Sequence, residues 1–382
     1  MADLTPVVFL LAEVETIASS LTSAPLFVPV LILTATAQIK EHTMAVKLKP
    51  VAEQVIVITG ATSGIGLTTA RMAASQGARL VLAARNNDAL DQLAAELRGK
   101  GTPVRTVAAD VGVADDVARI GAGAIEQFGR IDTWVNNAGI SVYGRLEDTP
   151  LEDQMRVFQT NYWGVVHGTL EAVKHLRQRG GGAIINLGSE VSDRAVPLQG
   201  TYSASKHAVK AFTDALRMEL ERERVPVSVT LIKPAAIDTL FTVHARNLMD
   251  KEPALPPPIY APELVARAIL HAASHPVRDQ FIGGAAKIMS LGAQAMPRLM
   301  DRYMKRSLFT QQRGPRDTAR GRHDALHAAD PNQELKQRGN GVRHVVERSP
   351  YTALSMRQGV AVPALVTAAL LTAWGLARRT GR

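Results

Sequence analysis

Tyr202 and Lys206 carry the strongest chemical signal in this sequence, because they stand four residues apart in a segment with a helical pattern. Side chains at i and i+4 share one helix face, so the ammonium group would lie beside the phenol. A free tyrosine has a pKa of about 10, too high for proton transfer at neutral pH, and a neighbouring positive charge lowers that pKa. Ser189 could hydrogen-bond the same reacting oxygen. The spacing therefore predicts proton transfer to a carbonyl oxygen or from an alcohol.

Each of these residues also has a purely structural interpretation. Ser189 could cap a helix, and Tyr202 with Lys206 could be a surface pair one turn apart. The stretch from Asn136 to Gly139, Asn-Asn-Ala-Gly, is typical of a turn, and Asn161 could be an ordinary polar residue on a helix. The functional interpretation therefore depends on the elements that would bring these side chains together.

A glycine-rich stretch is the element that would organise such a site. Residues 55–59 are apolar or β-branched, which is typical of a buried parallel strand. Gly60, Gly64 and Gly66 follow in a TGxxxGxG spacing, and a helix is predicted over Leu67–Gln76. Glycines also serve ordinary turns, but a strand, a glycine turn and a helix in this order direct a helix N-terminus toward a phosphate. The stretch therefore predicts nucleotide binding.

Strands and helices are predicted to alternate from Gln54 to about Gly284. The predicted strands are Val55–Thr59, Arg79–Ala83, Val104–Ala109, Ile131–Val135, Ala183–Leu187, Val227–Ile232 and Gln280–Ile282. The later helices are Asp88–Arg98, Ala114–Phe128, Leu151–Arg179, Thr201–Arg224 and Pro262–Ser274. Helices of this length between strands force parallel pairing through right-handed crossovers. We therefore predict an α/β fold, a doubly wound, Rossmann-type single domain with about seven strands.

The motifs stand in a fixed order on these elements: the glycine turn, Asn-Asn-Ala-Gly, Asn161, Ser189, and the Tyr202 and Lys206 pair. In that order they resemble the short-chain dehydrogenase/reductase family. The resemblance implies hydride transfer between a nicotinamide cofactor and a carbon atom, with Tyr202 as general acid or base and Ser189 on the reacting oxygen. It also implies that Lys206 holds the nicotinamide ribose and that Asn161 holds a water that resupplies protons.

The resemblance further implies a set of cofactor-binding residues: Gly60, Thr62, Ser63, Gly64, Ile65, Gly66, Arg85, Asn86, Asp110, Val111, Asn137, Ala138, Gly139, Tyr202, Lys206, Pro234 and Thr239. Enzymes that use NAD usually place Asp or Glu at the end of the second strand. Ala84 stands there in this chain, and Arg85 follows with a guanidinium that can pair with a 2′-phosphate. We therefore predict NADP (NADPH), with NAD less favoured. Ala235 departs from the family pattern, which has glycine after Pro234.

Composition limits the other classes of function. Cysteine is absent, which excludes disulfides, thiolate metal sites and cysteine nucleophiles, and no metal site is predicted. The net charge of +9 comes from the end of the chain, because residues 296–382 carry 16 Lys and Arg against 6 Asp and Glu. A basic tail favours an anionic membrane surface, and without a nucleic-acid motif we expect no nucleic-acid partner.

The chain is predicted to have four segments. Residues 1–43 are an N-terminal extension and residues 44–295 the catalytic domain. Residues 296–350 are a basic, largely disordered linker, with disorder over Arg313–Gly341, and residues 351–382 form a hydrophobic helix. The first 39 residues lack Lys and Arg, so we interpret Met44 as the physiological start. The uncharged stretch Val360–Ala377 is either a membrane anchor or a helix packed on the domain.

The leading hypothesis is an NADP-dependent oxidoreductase that interconverts a carbonyl and a secondary alcohol on a small molecule. One alternative is a non-catalytic NADP-binding sensor or membrane scaffold, and another is a membrane-associated reductase of lipid or steroid-like carbonyls. The partly apolar stretch Leu240–Ala261 would suit a bulky apolar substrate, but it could equally pack on the domain. A cytoplasmic catalytic domain is expected, with the C-terminal anchor left open. The family resemblance implies a homo-oligomer formed through the two long helices.

Overall fold

The computed structural model describes residues 46–330, 335–339 and 344–357. These residues contain a seven-stranded sheet of β1 (Val55–Thr59), β2 (Arg79–Ala84), β3 (Val104–Ala108), β4 (Thr133–Asn136), β5 (Gly182–Leu187), β6 (Val227–Pro234) and β7 (Asp279–Ile282). Every neighbouring pair is parallel, in the order β7-β6-β5-β4-β1-β2-β3. The order reverses between β1 and β4, so the loops after these strands diverge and open a crevice. The predicted doubly wound α/β fold is confirmed.

Helices cover both faces of this sheet. They are α1 (Gly64–Ser75), α2 (Asn87–Gly99), α3 (Ala114–Phe128), α4 (Leu151–Phe158), α5 (Gly164–Gln178), α6 (Gly200–Arg222), α7 (Pro262–Ser274), α8 (Gly284–Ala295) and α9 (Pro297–Gln311). Ile56 and Ile58 of β1 pack with α1, α2 and α7, whereas Val55 and Val57 pack with α3, α5 and α6. Because successive strand residues face opposite sides, a strand buried on both sides is apolar throughout, as the sequence of β1 is.

The long helix predicted over Leu151–Arg179 is interrupted. It divides into α4 and α5, with a π-helical turn over Gln159–Trp163 between them. A π-turn inserts one extra residue into the helical repeat, which apolar periodicity does not reveal, and such turns are frequent at functional sites. The predicted site residue Asn161 lies in this turn.

The described part of the linker packs on the domain. Helix α9 covers Pro297–Gln311, and Arg313–Asp317 pairs antiparallel with Lys251–Pro253. Leu326 is fully buried in a cluster with Ile140 and Val157. The prediction of disorder over Arg313–Gly341 is therefore wrong for residues 313–330 and 335–339. These segments are held by hydrogen bonds and one buried leucine, which leave little apolar periodicity in the sequence.

Two other predictions fall largely outside the described residues. Residues 1–43 and the apolar stretch Val360–Ala377 both lie beyond the described ranges. The start of the last predicted segment contains a short helix, Pro350–Ser355, in which Thr352 is buried. In the described ranges, every helix is too short or too polar to cross a membrane.

Candidate active site

The crevice at the switch point is shaped by the glycine turn. After Thr59, Gly60 adopts a φ of +64°, and α1 begins at Gly64. A Cβ atom added to Gly66 would lie 2.1 Å from the carbonyl oxygen of Gly60, so only glycine allows this approach. The turn therefore brings the N-terminus of α1 to the crevice, where backbone N–H groups and the helix dipole favour an anionic group.

The Asn-Asn-Ala-Gly stretch after β4 braces this turn. Asn137 donates from Nδ2 to the carbonyl oxygens of Thr59, at 2.9 Å, and Gly60, at 3.1 Å. Asn136 donates to Thr169 Oγ1 at 2.9 Å and to Asn186 Oδ1 at 2.8 Å. The two amide side chains therefore fix the ends of neighbouring strands relative to each other.

A cavity of about 190 Å³ runs along the crevice. Most of the predicted cofactor-binding residues line it, namely Gly60, Thr62, Ser63, Gly64, Ile65, Arg85, Asn86, Asp110, Val111, Asn137, Ala138, Gly139 and Thr239. Gly66 is buried against Gly60 instead, and Pro234, Tyr202 and Lys206 line a neighbouring cavity. The fold thus gathers most of this set, from the ends of four strands and the loop after β6, around one cleft.

Arg85 lies at the β2 end of the cleft. Its Nη2 donates to the carbonyl oxygen of Ala325 at 2.5 Å, and its Nη1 donates to that of Leu326 at 3.3 Å. Burial lowers the pKa of Arg85, the charge of Arg156 lowers it further, and Asp110 raises it. The residue predicted to take a 2′-phosphate is thus a partly buried cation beside a second cation.

Asp110 and Asn86 line the same end of the cleft, and both have protein partners. Asp110 pairs through Oδ2 with Arg156 Nη2 at 2.5 Å and accepts the N–H of Gly112 through Oδ1 at 2.9 Å. Asn86 caps α2 by accepting the N–H of Ala89 through Oδ1 at 2.9 Å. Their side chains therefore both line this end of the cleft and hold the surrounding loops in place.

A second cavity, of about 460 Å³, adjoins the first and shares Ile65, Asn137, Gly139, Thr239 and Phe241 with it. Ser189, Tyr202 and Lys206 line it. Most of its other walls are apolar and include Val191, Val196, Ile237, Leu255, Ile288, Met289, Met300 and Leu308. In the described part of the chain, no group of three or more His, Asp or Glu is placed to hold a metal ion.

The three polar residues lie close together at the point where the cavities meet. Ser189 begins the loop after β5, and Tyr202 and Lys206 lie one turn apart near the start of α6. The side chain of Ser189 lies close enough to the hydroxyl of Tyr202 to lower its pKa. Lys206 Nζ lies 5.8 Å from the centroid of the Tyr202 ring and donates to the carbonyl oxygen of Leu187 at 2.7 Å. The arrangement can therefore present a hydroxyl pair to one substrate oxygen.

Burial dominates the ionisation of this group. It raises the pKa of Tyr202 above its usual value, the side chain of Ser189 lowers that pKa in part, and the charge of Glu190 raises it. Burial also lowers the pKa of Lys206 to about 8. In the protein alone, desolvation therefore outweighs a charge 5.8 Å from the ring, and the lowering of the phenol pKa by the ammonium together with the nicotinamide ring stays a prediction. Tyr202 is held in its protonated, proton-donating form.

Asn161 lies beneath these residues and is fully buried. Its Oδ1 accepts the N–H of Ile140 at 2.8 Å, and its Nδ2 donates to the carbonyl oxygen of Ile140 at 2.9 Å and to Ser205 Oγ at 3.1 Å. Both amide hydrogens are thus used by protein atoms. Contact between Asn161 and a water in the proton path remains a prediction. Because the side-chain amide is fully used, the backbone carbonyl of Asn161 would have to accept the hydrogen bond from that water.

Two parts of the site were missed from the sequence. Glu190 follows Ser189 directly and lines the larger cavity, where burial raises the pKa of its carboxyl group to about 7. A carboxylate next to a predicted catalytic serine is a signal that could have found it. Ala325, Ala329 and Asp330 line the smaller cavity, and nothing in their local pattern marks them.

Comparisons with known proteins agree with this geometry. The family model for short chain dehydrogenase matches residues 54–249. YxnA, an uncharacterized oxidoreductase of Bacillus subtilis (strain 168), is 46% identical over 353 residues, which cover 91% of this chain and 98% of YxnA.

Solved structures show the same likeness. An alcohol dehydrogenase of the archaeon Thermococcus sibiricus, complexed with 5-hydroxy-NADP, has a TM-score of 0.53 and 29% identity, covering 60% of this chain and 95% of that one. L-Sorbose reductase from Gluconobacter frateurii, complexed with NADPH and L-sorbose, has a TM-score of 0.54 and 26% identity, covering 63% and 98%. This chain therefore belongs to the short-chain dehydrogenase/reductase family and is an oxidoreductase.

Proposed function

We propose that this enzyme uses NADP to interconvert a carbonyl and a secondary alcohol on a bulky, mainly apolar small molecule. The observation that carries the proposal is the junction of the two cavities. Ser189, Tyr202 and Lys206 line the larger cavity where it meets the cleft that holds the glycine turn. A substrate oxygen within hydrogen-bond reach of Tyr202 would therefore lie next to the cleft in which the cofactor is proposed to bind.

The residues of the cleft fit a dinucleotide. Gly60 and Gly64 line the cleft where a pyrophosphate would approach the N-terminus of α1, and Arg85 provides a cation at the end of the cleft next to β2. Thr239 packs on the turn, since a Cβ on Gly64 would lie 3.0 Å from its side chain. A bound nicotinamide cofactor supplies the hydride chemistry, and the protein supplies its placement.

The chain's own residues would manage the proton. Tyr202, protonated in the buried site, donates its phenolic proton to the carbonyl oxygen during reduction. In the reverse direction the phenolate form of Tyr202, once its own proton has passed to neutral Lys206, accepts the proton of the alcohol. Ser189 hydrogen-bonds the same oxygen and stabilises its developing negative charge. Lys206, whose pKa is lowered to about 8, can return a proton to Tyr202 near neutral pH. General acid–base catalysis of this kind contributes about 10²- to 10⁴-fold in rate.

The choice of NADP is supported by charge at the β2 end of the cleft. Arg85 and Arg156 are close enough for the charge of Arg156 to lower the pKa of Arg85. Asp110 pairs with Arg156, so a second anion, such as a 2′-phosphate, would relieve the remaining repulsion. The two solved relatives described above contain 5-hydroxy-NADP and NADPH, which supports the same choice.

The substrate class is proposed from the larger cavity. Its size, about 460 Å³, and its Val, Ile, Leu and Met walls suit a bulky apolar carbonyl compound. Phe241 and Leu255, from the partly apolar stretch Leu240–Ala261, line this cavity, which favours contact with a substrate over simple packing for that stretch. Glu190 adds one ionisable group that would accept a hydrogen bond from a substrate hydroxyl or amine.

The test is calorimetric titration of the full chain with NADPH and NADH, followed by assay of apolar ketones. We expect preferential NADPH binding, a loss of that preference in Arg85→Ala, and ketone reduction that Tyr202→Phe abolishes without loss of NADPH binding. NADPH binding without turnover of any ketone by the wild type would favour a non-catalytic NADP-binding protein. Equal affinity for both nucleotides would contradict the choice of cofactor.

A further inference from the structure

One segment beyond the family domain crosses the cofactor cleft. We call residues 322–330 and 335–339 the belt. At the β2 end, Arg85 donates to the carbonyl oxygens of Ala325 and Leu326, and Asn86 Nδ2 donates to that of Asp330 at 2.8 Å. Ala325 and Asp330 line the cavity itself. The belt therefore contacts both residues that follow β2.

The belt also reaches the glycine turn. The N–H of Gly64, the first residue of α1, donates to the carbonyl oxygen of Lys336 at 3.0 Å. Gln337 Nε2 donates to Thr68 Oγ1 at 3.0 Å, one turn further along α1. Beyond the turn, the N–H of Gly339 donates to Asp238 Oδ1 at 3.0 Å, next to Thr239. The belt thus follows the cleft along most of its length.

Two side chains that do not themselves line the cavity anchor the belt on the domain. Arg322 Nε donates to Glu252 at 3.0 Å, and the same guanidinium donates to the carbonyl oxygens of Ala245 and Thr242, each at 2.5 Å. Leu326 is fully buried beside Ile140. Charge-assisted hydrogen bonds and a buried leucine are substantial anchors for an irregular segment.

By contrast, two of the three belt residues that line the cavity are small. Ala325 and Ala329 reach it with a single methyl group each, and the third is Asp330. Large side chains would have filled the cleft, whereas methyl groups leave the space of about 190 Å³. The small residues leave room for a ligand, but carbonyl oxygens of the belt occupy Arg85, Asn86 and the N–H of Gly64. The belt must therefore shift for a dinucleotide to bind these groups, while its methyl groups can line the bound ligand.

We propose that the belt is a third wall of the cofactor site, which holds the bound dinucleotide against the glycine turn and is displaced when the dinucleotide enters or leaves. The inference rests on the proposed function, because it requires that the cleft bind a dinucleotide. The family model ends at residue 249, so this wall lies outside the region that defines the family. It predicts that loosening the belt accelerates both binding and release of the cofactor.

The test is stopped-flow fluorescence of NADPH binding to the full chain, with Arg322→Gln as the loosened belt. Arg320→Gln is the matched control, because Arg320 is an exposed arginine two residues away. We expect NADPH release about tenfold faster in Arg322→Gln, equivalent to about 1.4 kcal/mol, with faster association and with Arg320→Gln like the wild type. Gln337→Ala loosens the other end, so it carries the test if thermal melts show that Arg322→Gln is unfolded.

The possible outcomes distinguish a failure of the belt proposal from a failure of the proposed cofactor binding. A release rate equal to that of the wild type in a folded belt variant would overturn the inference, although NADPH binding would leave the proposed function intact. Faster association with unchanged release would also overturn it, because the belt would then be a plug that excludes the cofactor. A folded wild type that binds neither NADPH nor NADH would overturn both. Slower tryptic cleavage at Arg322 and Lys336 with NADPH bound is expected in the wild type, and equal cleavage rates would contradict the wall.

Discussion

Replacing Glu190 with glutamine should stabilise the protein, and by an amount that depends on pH. Glu190 lies in the apolar cavity, where burial raises the pKa of its carboxyl group from 4.5 to about 7. A raised pKa means that the folded protein favours the protonated carboxyl. Below about pH 4.5 the group is protonated in both states, and this preference is fully present. As the pH rises through 7, the carboxylate must ionise in the cavity and the wild type loses stability.

The size of the effect follows from the shift. A difference of about 2.5 pKa units corresponds to at most about 3 kcal/mol, at 1.36 kcal/mol for each unit. Glutamine keeps the shape of the side chain and removes the charge, so Glu190→Gln should match the wild type below about pH 4.5 and exceed it by a growing amount up to about pH 7, above which the difference levels off. For a domain of this size the gain in Tm would be at most about 6 to 12 °C.

The assay is a series of thermal melts of both proteins, without cofactor, between about pH 4 and pH 8, which brackets the two pKa values. Comparing the two at each pH cancels most of the contribution of Lys206, which titrates at about 8 in the wild type and the variant alike. Glu221→Gln is the control, because Glu221 is an exposed glutamate on α6 and should show no such trend. A difference in Tm that stays constant across this range would refute the reasoning that burial in the cavity controls Glu190.

Three further predictions address other parts of the molecule. Tyr202→Phe should lower kcat by about 10²- to 10⁴-fold and leave the Kd for NADPH unchanged, measured by steady-state kinetics and calorimetry, and a similar loss of NADPH binding would contradict a proton-transfer role. Leu326→Ala should cost about 2 to 5 kcal/mol in urea unfolding because Leu326 is fully buried, and a cost near zero would show that the belt is not packed. The chain is proposed to form a homo-oligomer through the two long helices predicted over Leu151–Arg179 and Thr201–Arg224, where Leu170 and Met218 are 52% and 61% exposed. Leu170→Glu should therefore reduce the mass measured by light scattering, and a wild type that is already monomeric would contradict this.

The sequence alone predicted those features of the fold and site that depend on residues close together in the chain. The strand before Gly60 is apolar or β-branched on every residue because helices cover both faces of the sheet, and that pattern predicted β1 as a buried parallel strand. The i, i+4 spacing of Tyr202 and Lys206 likewise predicted that they share one helix face, and in the structure both side chains line one cavity. These predictions depend on short-range geometry, which a sequence carries directly.

The rest depends on contacts between distant residues. Arg322 is anchored by residues about 70 to 80 positions earlier, and its segment has no apolar period to predict its burial. The ionisation of Tyr202 was predicted from its lysine neighbour, but in the protein alone the enclosing cavity decides it, and that cavity includes residues of α8 and α9. A residue's neighbours in the chain identify its chemistry, whereas its neighbours in space set its pKa.

The walls of the larger cavity have a consequence for how the enzyme could be altered. The proposed proton-transfer residues all lie within residues 54–249, but Ile288, Met289, Met300 and Leu308 come from α8 and α9, after the last strand of the sheet. Part of the cavity wall is thus encoded after all the proposed proton-transfer residues, while Val191, Val196 and Ile237 lie within residues 54–249 as well. A chimera that took α8 and α9 from a relative such as YxnA would exchange this part of the wall and retain the proton-transfer residues. Mutations in α8 and α9 would then change the cavity wall while the proposed proton-transfer residues stay the same.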